Sequence, residues 1–329
     1  MMRYLLALSC ALLLVACGQP EESEEPKADT AGTEQEYVDR MAEEHADDST
    51  AASDAVKLGE VPAQPVLSEE TTYGMIQGEP LTGYLAYPET AHGGMPGILL
   101  FHEWWGLNDN IRAMADKLAG QGYVVLAVDL YDDQVAADPA EARELMQATM
   151  ANRERLNRNI SLAWKFMEEE IGALSTAAMG WCLGGSMAMN TALLYPQQLD
   201  ALVIYYGHVT DVSPEQLAEL KMPILGLFGA EDRGIPVDGV ERFRDQLNAL
   251  GKDATIVIYD DAGHAFANPT GSSYQADAAE DAWDRTLKFL DRSLNAAVNR
   301  NVLAEDELPT LPEVGETEAG EGEAPDNDQ

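Results

Sequence analysis

Basic residues are scarce in this chain of 329 residues: 20 Lys and Arg stand against 58 Asp and Glu, a formal net charge of −38. That balance excludes nucleic acid as a partner, because phosphate neutralisation needs clusters of Lys and Arg. Apolar runs of membrane-spanning length are lacking too. A bilayer needs about 20 consecutive apolar residues, and the N-terminal run over 4–16 falls short. There are five histidines and three cysteines. No pair of either has the spacing of a metal site, and His92, His102 and His264 belong to separate loops, so no metal is expected. A glycine loop for phosphates is missing as well. Gly184-Gly185 has neither the third glycine nor the distal acid of a dinucleotide fingerprint, so no cofactor is expected. No internal repeat is visible.

The two ends account for two of the three cysteines. Met1-Met2-Arg3 is a short basic start, the apolar run follows, and Leu14-Val15-Ala16-Cys17 closes it. These four residues resemble a bacterial lipobox, which implies that Cys17 is lipidated and becomes the mature N-terminus. Cys10 would leave with the signal, and Cys182 would be the one free thiol of the mature chain. Gly18 stands where inner-membrane retention commonly uses aspartate. The expectation is therefore an exported lipoprotein of the cell envelope, anchored to the outer membrane and facing the periplasm.

Residues 18–66 and 301–329 are polar, acidic and nearly without aromatics, a composition that cannot bury enough apolar surface to offset chain entropy. They are expected to form a disordered tether and tail. The stretch 67–300 has conventional composition and length for one domain, expected to be a monomer. Within it, runs at 81–87, 97–102, 124–128, 174–179, 201–206, 224–228 and 255–259 have the length and β-branched or aliphatic content of strands. The first alternates like an edge strand. Helical patterns lie at 108–120, 139–169, 185–195, 236–249 and 274–297. Gly120 and Gly251 sit at expected helix ends, and Pro236 in an expected first turn. Such alternation specifies an α/β fold with a mostly parallel sheet and helices on both faces, whose functional residues gather at the carboxyl ends of the strands.

One cysteine stands at such an end. In Gly180-Trp181-Cys182-Leu183-Gly184-Gly185-Ser186, Cys182 follows an expected strand and precedes an expected helix. Small flanking residues permit the sharp turn that lifts a nucleophile above a sheet. A helix N-terminus behind it favours a thiolate. Asp232 and His264 each follow a later strand, which gives the chain order nucleophile, acid, base. His264 can shuttle a proton, and Asp232 can fix its tautomer. A structural role is open to each alone: Asp232 as a helix cap with Glu231 as the acid, His264 as a loop residue. Phe101-His102-Glu103-Trp104-Trp105-Gly106 ends another strand. There the Trp104 amide, together with that of Leu183, is expected to form an oxyanion hole, and Glu103 enters the same pocket.

Those segments, with Val128-Asp129-Leu130-Tyr131, Tyr205-Tyr206-Gly207 and Gly263-His264-Ala265-Phe266, resemble the dienelactone hydrolase family over residues 70–295. The resemblance implies an α/β-hydrolase fold and a Cys-His-Asp triad that cleaves an ester or lactone through a thioester. It also implies that Glu103 holds and then deprotonates the thiol. The lactone-cleaving prototype grips its substrate's carboxylate with two arginines. The corresponding positions here are Asp133 and Asn268, so dienelactone is expected to be a poor substrate and a neutral ester or lactone a better one. Trp105, Tyr131, His208 and Asn268 are candidate pocket residues. The alternative reading is a non-catalytic envelope lipoprotein that keeps the fold as a binding module.

Overall fold

The computed structural model describes residues 34–46 and 62–301. The expected signal segment, Cys17, and the expected tail beyond 301 fall outside these residues. All described residues belong to one compact unit.

Eight strands form one sheet in the order β1-β2-β4-β3-β5-β6-β7-β8. They are β1 (Val66–Ile76), β2 (Glu79–Pro88), β3 (Gly97–Phe101), β4 (Val124–Val128), β5 (Thr176–Trp181), β6 (Ala201–Tyr205), β7 (Ile224–Gly229) and β8 (Ala254–Tyr259). β1 pairs with β2 and β2 with β4 antiparallel; every other pairing is parallel. Strands β3 to β7 are buried at every position, as expected where helices cover both faces of a sheet.

The helices are α1 (Glu34–Glu44), α2 (Asp109–Ala119), α3 (Pro139–Ala151), α4 (Arg153–Lys165), α5 (Leu183–Leu194), α6 (Pro214–Glu219), α7 (Val237–Ala249) and α8 (Ala276–Asn301). Handedness assigns their faces. The chain steps from β3 to β4 in one direction and from β4 through β5 to β8 in the other. Right-handed crossovers therefore place α2 on one face and α4 to α7 on the opposite one. Side chains agree. Lys117 of α2 lies over the Trp283 ring of α8 at 4.2 Å, whereas Asn190 of α5 bonds Asn157 of α4 at 2.8 Å. The reversal occurs at β3, between β4 and β5, and the crevice at such a switch point is where sheets of this kind bind ligands.

Three sequence expectations are corrected. The strand at 81–87 is not an edge strand, because β1 lies outside it. β1 reads Val-Leu-Ser-Glu-Glu-Thr-Thr-Tyr-Gly-Met-Ile and is largely half-exposed, so its polar residues hide it from a search for apolar runs. The single helix over 139–169 is two, broken at Asn152, which caps α4 through its side chain, and α4 runs into a π-helical turn at Phe166–Glu170. Most consequentially, the acidic stretch 18–66 contains α1. The end signals were sound in one case: Gly251 takes the left-handed φ of 65° just past α7. Gly120 ends α2 with right-handed φ instead.

Candidate active site

Cys182 occupies the turn between β5 and α5 with φ 55° and ψ −119°, a strained conformation for a residue with a side chain. The neighbouring glycines make that turn possible by close approach. A Cβ on Gly184 would lie 2.1 Å from the Phe101 carbonyl oxygen, and one on Gly180 would lie 2.4 Å from the backbone of Gly184. The Cys182 amide donates to the Tyr205 carbonyl at 3.0 Å, which ties the elbow to β6. Leu183 is the first residue of α5, so its amide has no intrahelical acceptor and faces the site with the positive end of the helix.

Asp232 and His264 meet behind the sulfur. The Nδ1 of His264 bonds Oδ2 of Asp232 at 2.7 Å, and both side chains are buried. The other carboxylate oxygen accepts from the Ile235 amide at 2.7 Å, so the acid is fixed at both ends. Of the two acids, Asp232 is the one that meets His264; Glu231 is exposed, and α7 starts behind Pro236 without a side-chain cap. Burial works against a charge on His264, but Asp232 and Cys182 outweigh it and hold the imidazole well above its usual pKa. Burial likewise pushes the Cys182 thiol up. The positive charge of His264, with the His45 imidazole also close to the sulfur, more than reverses this and brings the thiol down to about 6. Both shifts act in one direction, favouring a thiolate beside an imidazolium.

Glu103 is buried beside this pair. Burial and the charge on Cys182 raise its carboxyl, while His45, His264 and a hydrogen bond from Asn268 oppose the rise, leaving it at about 7. The Asn268 amide donates to Oε2 of Glu103 at 2.6 Å. Asn268 therefore positions Glu103 in this structure, where the sequence suggested a substrate contact. Asp133 is also placed differently from expectation: it is exposed and accepts a hydrogen bond from Thr82 of β2, so it is no acidic wall of the pocket.

The remaining candidates divide. Trp104 and Trp105 are buried and pack edge to face with centroids 5.0 Å apart. Tyr131 is buried against His102, with ring centroids 4.8 Å apart. His102 itself is a strut. Its Nδ1 bonds the Glu103 carbonyl at 2.5 Å and its Nε2 accepts from the Leu130 amide at 3.1 Å, which fixes it as the neutral form; burial lowers its pKa accordingly. His208 bonds Asp211 at 2.8 Å, and its amide donates to Ser186 at 2.9 Å, at one margin of the site.

Residues that the sequence left in the tether complete the arrangement. On α1, Tyr37, Val38, Met41 and His45 are buried. Met41 Sδ is 3.8 Å from Cys182 Sγ, and the His45 ring stacks on Trp104 at 4.6 Å and meets His264 edge-on at 5.3 Å. Their spacing, i, i+1, i+4 and i+8, is that of one helix face, a signal present in the sequence but overshadowed by the surrounding acids. Among the described residues, the Cys182 sulfur and the ring nitrogens of His45 and His264 lie within 4.8 Å of one another. A soft ion could be held there, but only by capturing the sulfur and the imidazole on which the chemistry of the site depends.

A cysteine on a strand–helix elbow, an acid after β7 and a histidine after β8, all at the carboxyl edge of this sheet, define an α/β-hydrolase. Comparison with known proteins narrows the class. The sequence profile of the dienelactone hydrolase family matches residues 81–294. A protein from Saccharolobus solfataricus named carboxymethylenebutenolidase is 31% identical over 254 residues, covering 65% of this chain and 95% of that one. One of the same name from Escherichia coli is 32% identical over 227 residues, covering 65% and 83%. The crystal structure of a dienelactone hydrolase from Klebsiella pneumoniae superposes with a TM-score of 0.61 at 30% identity, covering 70% of this chain and all of that one. The chain belongs to the dienelactone hydrolase family, and as such it is a hydrolase of esters or lactones.

Proposed function

We propose that this hydrolase cleaves a neutral carboxylic ester or lactone through a cysteine thioester, with Cys182 as nucleophile, His264 as proton shuttle and Asp232 as its orienter. The single observation that carries the reading is the buried set Asp232, His264 and Cys182 after three strand ends, with His264 anchored on the acid at 2.7 Å and a ring nitrogen within 4.8 Å of the sulfur. The thiolate attacks the carbonyl carbon, and the oxygen that becomes negative is met by the amides of Leu183 and Trp104. Collapse expels the alkoxide, which takes the proton from His264 and leaves the acyl group on sulfur. Neutral His264 then draws a proton from water, the hydroxide adds to the thioester, and the acid product departs with the thiolate and imidazolium restored. Glu103, near its own pKa at neutral pH, is read as the group that exchanges a proton with the resting thiol.

The choice of a neutral substrate follows from charge. No Lys or Arg is buried among the described residues, and neither Asp133 nor Asn268 offers a positive charge to a substrate carboxylate. We read the enzyme as a monomer tethered to the envelope by lipid on Cys17, a reading that rests on the N-terminal sequence. Metabolic labelling with a radioactive fatty acid, lost in Cys17→Ser, tests it. For the chemistry, a panel of neutral aryl esters, lactones and dienelactone should show turnover that Cys182→Ala abolishes while the circular dichroism is unchanged. Full activity in that variant, or dienelactone opened far faster than the neutral esters, contradicts the proposal.

A further inference from the structure

We propose that α1 is a lid seated in the substrate groove, and that the groove it fills takes the bulky apolar group of the ester. The inference rests on the proposed role of Cys182 and goes beyond it, because α1 lies outside residues 81–294 matched by the family profile.

The helix lies along the site. At one end the Tyr37 hydroxyl pairs with the Ser186 hydroxyl at 3.1 Å, and its ring packs on His208 at 4.6 Å. In the middle Met41 reaches the sulfur. At the other end His45 stacks on Trp104. A reacting carbonyl carbon must come within about 3–3.5 Å of its nucleophile. That volume is taken by the Met41 thioether at 3.8 Å from Sγ, and Cys182 and His264 are each only 1% exposed. No ester reaches Cys182 until α1 moves.

What α1 inserts describes what the groove accepts. A phenol, an isopropyl group, a thioether and an imidazole together make a large and mainly apolar occupant. Gly234 is part of the mould: a Cβ there would lie 2.0 Å from the Met41 methyl carbon. Around the same volume the Tyr131 and Tyr206 hydroxyls and the Trp104 indole nitrogen are buried without a hydrogen-bond partner among the described residues. Buried polar atoms are rarely left unsatisfied, and the carbonyl and ether oxygens of a bound ester would satisfy them. The outer margin of α1 is held by exposed polar contacts, an Asp39–Arg143 ion pair and a Gln35–Gln147 hydrogen bond at 2.8 Å. Contacts of this kind are weak and sensitive to salt, so the lid can be released without unfolding the domain.

The test compares the full chain with Tyr37→Ala/Met41→Ala and with Asp39→Lys. The latter places like charges at Arg143 and leaves every core residue in place. Two quantities are read: the rate of Cys182 alkylation by iodoacetamide, and the hydrolysis of 4-nitrophenyl acetate against 4-nitrophenyl octanoate. Alkylation is expected to rise tenfold or more in the double variant and several-fold in Asp39→Lys. KM is expected to fall more for octanoate than for acetate. Equal alkylation rates in all three folded proteins overturn the lid. A preference for acetate that survives opening of the lid overturns the apolar groove. Alkylation needs no turnover, so faster labelling without hydrolysis of any ester supports the lid and refutes the proposed chemistry.

Discussion

Met41 and Cys182 are 141 residues apart in sequence, yet their sulfur atoms lie 3.8 Å apart, which places a helix from the acidic N-terminal stretch directly over the nucleophilic thiol. The same contact shields the thiol. A low-pKa thiolate is the form most readily oxidised, and in an oxidising compartment a covered one survives longer. Peroxide is therefore expected to oxidise Cys182 slowly in the intact chain, as read by mass spectrometry of the Cys182 peptide, and faster once Met41 is shortened to Ala.

The pH dependence of the thiol follows from its neighbours. A group whose pKa is lowered by its surroundings is ionised above that pKa and loses its charge as pH falls through it. With the Cys182 thiol at about 6, its alkylation rate should climb through a midpoint near pH 6 and be nearly flat at pH 8. In denaturant the midpoint should return to about 8.5, the value for a free cysteine. A native midpoint at or above 8 would show that His264 and His45 do not stabilise the thiolate.

Asp232→Asn separates orientation from packing. Asparagine has one oxygen for two partners: with it on the Ile235 amide, its NH2 faces His264 Nδ1 as a second donor, and with it on His264 the acceptor is neutral. The imidazole then loses both its fixed tautomer and the charge that stabilises imidazolium. In a serine triad the corresponding change costs on the order of 10⁴-fold in kcat, and a loss of about 10³–10⁴-fold is expected here with the melting temperature little altered. Loss of less than about tenfold would assign Asp232 a purely structural part.

Glu103 and Asn268 form a second testable pair. Asn268→Ala removes a hydrogen bond that favours the carboxylate, so the Glu103 pKa should rise further above about 7 and the pH profile of kcat/KM should shift upward with it. Glu103→Gln removes the titration and its neighbouring negative charge. The thiol midpoint should then fall while turnover declines, a split that a packing role would not produce.

Most of the sheet was legible in the sequence because β3 to β7 are buried on both faces and appear as short apolar runs between glycines and helix caps. The candidate residues stood out for a related reason: Cys182 directly follows β5, while Asp232 and His264 lie a few residues beyond the ends of β7 and the half-buried β8. β1 was not legible, since its Ser, Glu and Thr residues, exposed or half-buried, interrupt any apolar run. α1 was missed on physical grounds that run deeper. Its face of Tyr37, Val38, Met41 and His45 is stable only against a partner surface remote in sequence, which includes Trp104 and Cys182, and composition averaged over 18–66 registers the acids instead. The function of Asn268 was hidden likewise, because its partner Glu103 is 165 residues away.

Gly184→Ala probes the elbow without touching a chemical group. Its new Cβ would meet the Phe101 carbonyl oxygen at 2.1 Å, and backbone cannot yield as a flexible side chain would. Overpacking of this kind typically costs about 1–3 kcal/mol. The melting temperature should drop by several degrees and turnover should fall more steeply than stability, since the displaced backbone carries Cys182 and the Leu183 amide.

The most direct measurement is of the covalent intermediate. The protein, preferably with the lid loosened by Asp39→Lys, is mixed with a 4-nitrophenyl ester, quenched in acid within milliseconds to seconds, digested and examined by mass spectrometry. The account requires the mass of the acyl group on the Cys182 peptide, labile to hydroxylamine at neutral pH as a thioester is, and absent from Cys182→Ala. An acyl group on Ser186 or any other residue, or turnover without acylation in a chain lacking Cys182, would contradict it.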